Sequence, residues 1–259
     1  MAVKDSELES FLPSQISSPV SRRKRILHKF ALLGWILNII QFAIICYGWI
    51  YPRKPTDLEC TRQLNAWSPV FDVVEYEDVQ FSNAFFQPSP YKGPPTPELE
   101  KAWSDLWKIG TIDVPYELLP ALNKSDDGNW LRSDKGGILA GLEVFHSMHC
   151  LDMVRQYTYK DEYDYSDNPT FQDDADFLRS HVDHCIEALR IRLMCYSDIT
   201  PFLHRIEPGA ELGATPDFDT QHKCKKYDKI QEWQRNNHAR AAKGQGAEAG
   251  HGHSHNPSR

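Results

Sequence analysis

Between Phe30 and Tyr51 the chain runs for 22 residues without a charged side chain, and only Asn38 and Gln41 interrupt its apolar character. A helix of that length, rising 1.5 Å per residue, covers the roughly 30 Å hydrocarbon core of a bilayer. Trp35, Tyr47, Trp49 and Tyr51 supply aromatic anchors near its two ends. The segment therefore predicts a single-pass transmembrane helix over residues 30–51. A cleaved signal peptide fits less well, because its apolar stretch is about 7 to 15 residues and ends at a small-residue cleavage site. Arg22, Arg23, Lys24, Arg25 and Lys29 precede the span, whereas only Arg53 and Lys54 follow closely. The positive-inside rule then predicts a cytosolic, disordered tail over 1–29 and a lumenal domain over 52–240 in the secretory pathway. That compartment permits disulfides and N-glycans. Asn123-Lys124-Ser125 is the usable sequon there, since proline occupies the middle position after Asn168 and after Asn256.

A chain of 259 residues has room for one sizeable domain beyond such an anchor, and its 25% charged and 41% hydrophobic residues are those of a folded protein. The net charge of -7 excludes a chain-wide nucleic-acid footprint, because the phosphate backbone requires an excess of Lys and Arg. The expected fold class is mainly α with a small β component. Residues 52–70 read as an extended stalk, and Asp72 to Phe81 carries the β-branched and aromatic mix of a strand. Thr96 followed by Pro97 marks a helix start, and Leu99, Trp103, Leu106 and Trp107 recur on one face of it. A short strand over 136–142 runs into a helix from Glu143 to about Tyr157, residues 160–174 form an acidic loop, and a second long helix spans 175–196 with Asp173 or Asp174 as its cap. From Ala241 to Arg259 the chain has no apolar period and reads as a disordered tail, in which His251, His253 and His255 make at most a weak metal site.

The two long helices carry one constellation twice. His146-Ser147-Met148-His149-Cys150 and His181-Val182-Asp183-His184-Cys185 share the pattern His-x-x-His-Cys, 35 residues apart. With eleven His and six Cys in the chain, about 0.01 copies are expected by chance. Positions three and four apart lie on one face of a helix, so each motif converges its own imidazoles. Two such helices packed side by side bring four imidazoles together. Four histidines in duplicated helical spacing point to metal binding at His146, His149, His181 and His184. His204 and His222 are reserve ligands.

Imidazole suits copper, zinc, iron and nickel. A closed four-ligand zinc site is structural, whereas an open site holding copper, or alternatively iron, can work on dioxygen. Cys150 and Cys185 are either thiols at the metal or disulfide partners of each other or of Cys60, Cys195 or Cys224. Glu143 stands three residues before His146, a spacing also used by carboxylate-bridged di-iron helices. The second motif has Leu178 at the matching place, so Glu143 reads as an orienter of an imidazole or a proton-transfer group.

With these motifs the chain resembles the UstYa family of fungal oxidases, whose hallmark is two His-x-x-His-Cys motifs on a membrane-anchored chain. Trp67-Ser68-Pro69 after Cys60, Leu142-Glu143-Val144-Phe145 ahead of the first motif, Leu193-Met194-Cys195 after the second, and His222-Lys223-Cys224 with Trp233 extend the likeness over about residues 30–235. The resemblance implies oxidative tailoring in mycotoxin biosynthesis: cyclisation, hydroxylation, desaturation or halogenation of a ribosomally made peptide or a small-molecule metabolite. It also implies copper and dioxygen, the four motif histidines as the catalytic metal ligands, and possible homo- or hetero-oligomers with another family member. The rival reading is a lumenal adaptor in which structural zinc replaces copper and the domain binds a partner oxidase or a precursor peptide.

Overall fold

The computed structural model describes residues 19–126 and 128–244, and the chain divides into two compact units at Pro55/Thr56. The first unit is one helix, α1 (Pro19–Ile50). Its stretch Arg23–Ile50 is long and apolar enough to cross a membrane, and none of its most apolar window is buried against protein. The helix begins eleven residues before Phe30, so the basic cluster expected in a disordered tail is helical from Pro19 onward. Arg, Lys and Leu are good helix formers, and an already nucleated helix propagates through them at little cost. Residues 1–18 lie outside the described residues. Within the span, Asn38 Nδ2 donates to Gly34 O at 2.8 Å, one turn back, which satisfies that amide inside its own helix.

The second unit is mainly helical with three small antiparallel sheets. It opens on α2 (Asp57–Leu64), where an extended stalk was expected. The signal was local: Thr56 caps the Glu59 amide while Glu59 reaches back to the Thr56 N–H at 2.7 Å, a reciprocal capping box. A 3-10 turn over Phe71–Val73 leads into β1 (Tyr76–Gln80), inside the stretch expected to be a strand. Next come α3 (Pro97–Trp107), capped by Thr96 as expected, β2 (Thr111–Val114), a 3-10 helix over Tyr116–Leu122, β3 (Ile138–Ala140) and α4 (Glu143–Thr158). The expected acidic loop contains a single helical turn, α5 (Pro169–Gln172), and its Tyr165 and Thr170 are buried. α6 (Ala175–Tyr196) follows, with Asp174 accepting from the Phe177 amide at 2.8 Å. Beyond α6 come β4 (Leu203–Ile206), β5 (Ala214–Asp217), β6 (Gln221–Lys225), α7 (Tyr227–Asn236) and β7 (His238–Ala239).

β1 pairs with β6, β4 with β5, and β2 lies between β3 and β7. Ala241 and Ala242, expected to open a disordered tail, are instead tied to the domain: Ala241 bridges Ser133 and the Ala242 amide donates to Arg132 O at 2.9 Å. The described residues end at Gly244, so His251, His253 and His255 lie outside them.

Two apolar clusters hold the unit together. Val70, Val74, Ile109, Phe145 and Ile230 join the start of α4 to α7 and the 3-10 turn. Cys150, Met153, Val182 and Cys185 lie between α4 and α6, flanked by Leu178, Tyr157 and Leu189. Met153 and Val182 are almost completely buried, and each such side chain stabilises the fold by about 1.5 to 3 kcal/mol. α4 packs against both α3 and α6. Its 3.6-residue period sends Phe145 and Asp152 toward one side and His146, His149, Cys150 and Met153 toward α6.

Candidate metal centre

The α4–α6 seam brings the two motifs face to face. His146 and His184 stack across it with ring centroids 5.7 Å apart, and His149 and His181 meet with centroids 5.9 Å apart. His181 and His184, on one helix, are 6.4 Å apart. Among the described residues the converging donor group is His146, Cys150 and His184, whose ligand atoms all lie within 4.8 Å of one another; of the four histidines expected to share one site, His149 and His181 are not part of it. Two imidazoles and a thiol converging at that range can bind a metal ion of borderline or soft character. His184 is exposed and His146 half-buried, so the group is open on one side.

Charge around the group is organised by Glu143. Its Oε2 lies 3.3 Å from His146 Nδ1 and also forms an ion pair with Arg192, which reaches over from α6. The His146 hydrogen bond lowers the Glu143 pKa, with Arg192 adding to the effect, so the carboxylate stays ionised at neutral pH. In turn, the hydrogen bonds of His146 with Cys150 and Glu143 push its own pKa up to about 10. The Cys150 thiol is drawn down by its hydrogen bonds with Cys185 and His146, whereas Cys185 is pushed up by that same contact with Cys150 and by burial.

His149 is held from the other side. The Trp107 ring, at the end of α3, lies 4.5 Å from it, and Trp107 Nε1 donates to Asp152 Oδ2 at 3.0 Å. Asp152 also accepts from Arg155 Nε at 2.9 Å, while Arg155 clamps both carboxylate oxygens of Glu100 at 2.7 and 2.6 Å. Tyr165 and Gln156 donate to Glu100 as well, at 3.3 and 3.2 Å. Burial raises the Asp152 pKa, against the pull of Trp107 and Arg155. This network fixes α3 to α4 and sets the wall against which His149 rests.

The reserve histidines are elsewhere. His222, on β6, stacks on Phe81 at 3.8 Å, with its ring nitrogens taken by Asp198 at 3.0 Å and Thr220 at 2.6 Å. His204 is exposed on β4 beside Phe202. Neither belongs to the group of converging donors. Asn123 is exposed at the end of the 3-10 helix, in the left-handed region at φ 54°. Trp107, expected only on the apolar face of α3, lines the site through its hydrogen bond to Asp152 and its contact with His149, and neither Arg192 nor Asp152 carries a sequence signal for the role it plays there. Arg192 lay 49 residues from Glu143, and only the helix pairing connects them.

A sequence model of the family described as "Mycotoxin biosynthesis protein UstYa" matches residues 18–237. The chain belongs to the UstYa family. It is 39% identical over 233 residues to the "UstYa family oxidase phomYc" of Diaporthe leptostromiformis, covering 88% of this chain and 89% of that one. It is 37% identical over 231 residues to "UstYa family oxidase phomYc'" of the same fungus, covering 88% and 82%. The "Transacylase cctO" of Talaromyces islandicus is 35% identical over 212 residues, covering 78% of this chain and 71% of that one. No solved structure matches the chain.

In this UstYa-family chain, Glu143→Gln keeps a hydrogen-bonding side chain but removes the charge that links His146 to Arg192. Outer partners of ligating imidazoles are worth about 10- to 100-fold in metal affinity or activity. Because the Glu143 side chain is 66% exposed, the expected loss is near tenfold, read as a weakened metal dissociation constant with an unchanged unfolding midpoint.

Proposed function

We propose that this chain is a membrane-anchored, copper-dependent oxidase that tailors a ribosomally made peptide or a small-molecule metabolite, with α1 crossing the membrane and residues beyond it in the secretory lumen. The observation that carries the reading is the pairing of the two His-x-x-His-Cys motifs across α4 and α6, His146 against His184 and His149 against His181. Its similarity to oxidases named for the same family supports the oxidoreductase class. The openness of the group at His184 favours catalysis over a structural zinc site, which would be closed by its ligands.

His146, His149, His181 and His184 would hold the ion. Copper there would supply one-electron chemistry toward dioxygen and a C–H or O–H bond, a redox capacity that no side chain provides alone. The protein's own residues do the rest. Glu143, tethered by Arg192, orients the His146 ring through Nδ1 and leaves the other nitrogen for a ligand. Trp107, tied to Asp152, packs against His149 and excludes water from that flank. The exposed side at His184 is where a substrate approaches.

The test uses full-length protein purified from membranes of a secretory host, its metal content measured by elemental analysis. Expected results are copper in the isolated protein, loss of precursor oxidation on treatment with a chelator, and recovery with copper but not zinc. Recovery with iron alone would replace the metal and keep the oxidase. Full turnover without any transition metal would remove the reading, and bound zinc without turnover would favour the adaptor. A glycan on Asn123, read as a mobility shift lost on deglycosylation, checks the lumenal placement.

A further inference from the structure

We infer that Cys150 and Cys185 form an interhelical disulfide beneath the imidazoles in the mature protein; the inference rests on the lumenal placement proposed above. Both side chains are completely enclosed and pack in one buried cluster between α4 and α6, where the structure has them as free thiols. The duplicated motif explains why. An approximate two-fold across the seam exchanges 146 with 181, 149 with 184, and 150 with 185, and under it each histidine faces the mate of the other motif position. The cysteine alone faces its own mate, so the repeat itself places two thiols together on the pseudo-axis.

The other cysteines cannot compete for either sulfur. Cys195 is exposed ten residues further along α6, about 15 Å from Cys185 along the helix. Cys224 lies on β6, opposite Glu77 of β1, and Cys60 lies on α2. Neither is part of the buried cluster. Cys46 lies within α1, in the other unit.

The oxidant is glutathione disulfide, the bulk disulfide of the secretory lumen. The two thiols give up two protons and two electrons to form one S–S bond, and glutathione disulfide is reduced to two molecules of glutathione. Exchange takes place while the helices dock, before the sulfurs are enclosed. The bond removes Cys150 as a thiolate donor, leaving the imidazoles as the ligand set. It also protects the sulfur from oxidation by the metal and dioxygen it would otherwise adjoin.

The test is disulfide mapping of the full-length protein. Free thiols are blocked with N-ethylmaleimide in membranes before lysis, and the denatured, unreduced protein is digested with trypsin. Cleavage at Lys135, Arg155, Arg179 and Arg190 yields peptides 136–155 and 180–190, each with one cysteine. The expected species is the two peptides joined, two hydrogens lighter than their sum and split by reductant. Recovery of both peptides separately with the maleimide label, or of either joined to another cysteine, overturns the inference. Labelled peptides from protein carrying a glycan on Asn123 overturn the disulfide and leave lumenal placement standing, whereas labelled peptides with Asn123 bare overturn both.

Discussion

His184→Ala is expected to lower substrate oxidation by more than about 100-fold while leaving the unfolding midpoint nearly unchanged. The two halves of that expectation have separate causes. Partners outside a metal's own ligands are worth about 10- to 100-fold, so removing a direct ligand should exceed that range. The side chain is exposed, and exposed substitutions away from caps and networks stay within about 0.5 kcal/mol. His146→Ala should cost the same activity but adds a stability effect, because the His146 ring faces both Glu143 and the enclosed Cys150. His222→Ala is the control: its ring is occupied by Asp198 and Thr220. It should perturb the β1–β6 corner and leave bound metal per chain unchanged. Elemental analysis of the three variants, with circular dichroism to check folding, decides the matter. A His184→Ala protein that keeps both its metal and its turnover would exclude the paired imidazoles as the site.

The parts of this site that were legible in the sequence are those fixed by short-range periodicity. His-x-x-His-Cys at helical spacing is a local statement about one face of one helix, and two helices start at expected caps, α3 at Thr96 and the second motif helix α6 at Asp174. The capping box at Thr56 and Glu59 is equally local, and it starts α2 where a stalk was expected. What lay beyond reach was long-range. β6 pairs with β1 across more than 140 residues, and neither partner's alternation alone names the other. Arg192 finds Glu143 only because α6 runs antiparallel beside α4, and Trp107 reaches Asp152 only because α3 packs on the opposite side. The basic run before the apolar span illustrates a different limit: its charges argue for orientation, but charge does not prevent helix, so the start at Pro19 follows from propensity.

Arg155→Ala is expected to be the most destabilising change near the site although Arg155 touches no motif residue. Its side chain is 11% exposed, and it neutralises two carboxylates, Asp152 at 3% and Glu100 at 18%. Removing one member of a buried ion network leaves charge without compensation and costs about 3 to 5 kcal/mol. In a domain of this size that corresponds to a fall of about 10 °C in unfolding midpoint. The exposed pair Lys101–Asp105, with side chains 72% and 60% exposed, gives the comparison: Lys101→Ala should cost less than about 1 kcal/mol. The Arg155 penalty also depends on pH. In the wild type, burial would raise the Glu100 pKa, but Arg155 holds it below its ordinary value, so that contribution is present at neutral pH and lost as pH falls through the lowered pKa. Without Arg155, burial raises both carboxylates, and protonation then relieves the folded variant as pH falls. The gap between wild type and variant should therefore narrow on going from pH 7.5 to about pH 5, as measured by thermal unfolding at the two pH values. An equal gap at both would mean that Arg155 stabilises through its guanidinium over the Trp103 ring, 5.3 Å from the ring centroid, and not through the two carboxylates. Because Asp152 also holds Trp107 against His149, the same variant should lose oxidation beyond its loss of folded protein, which would tie the α3–α4 network to the proposed metal site.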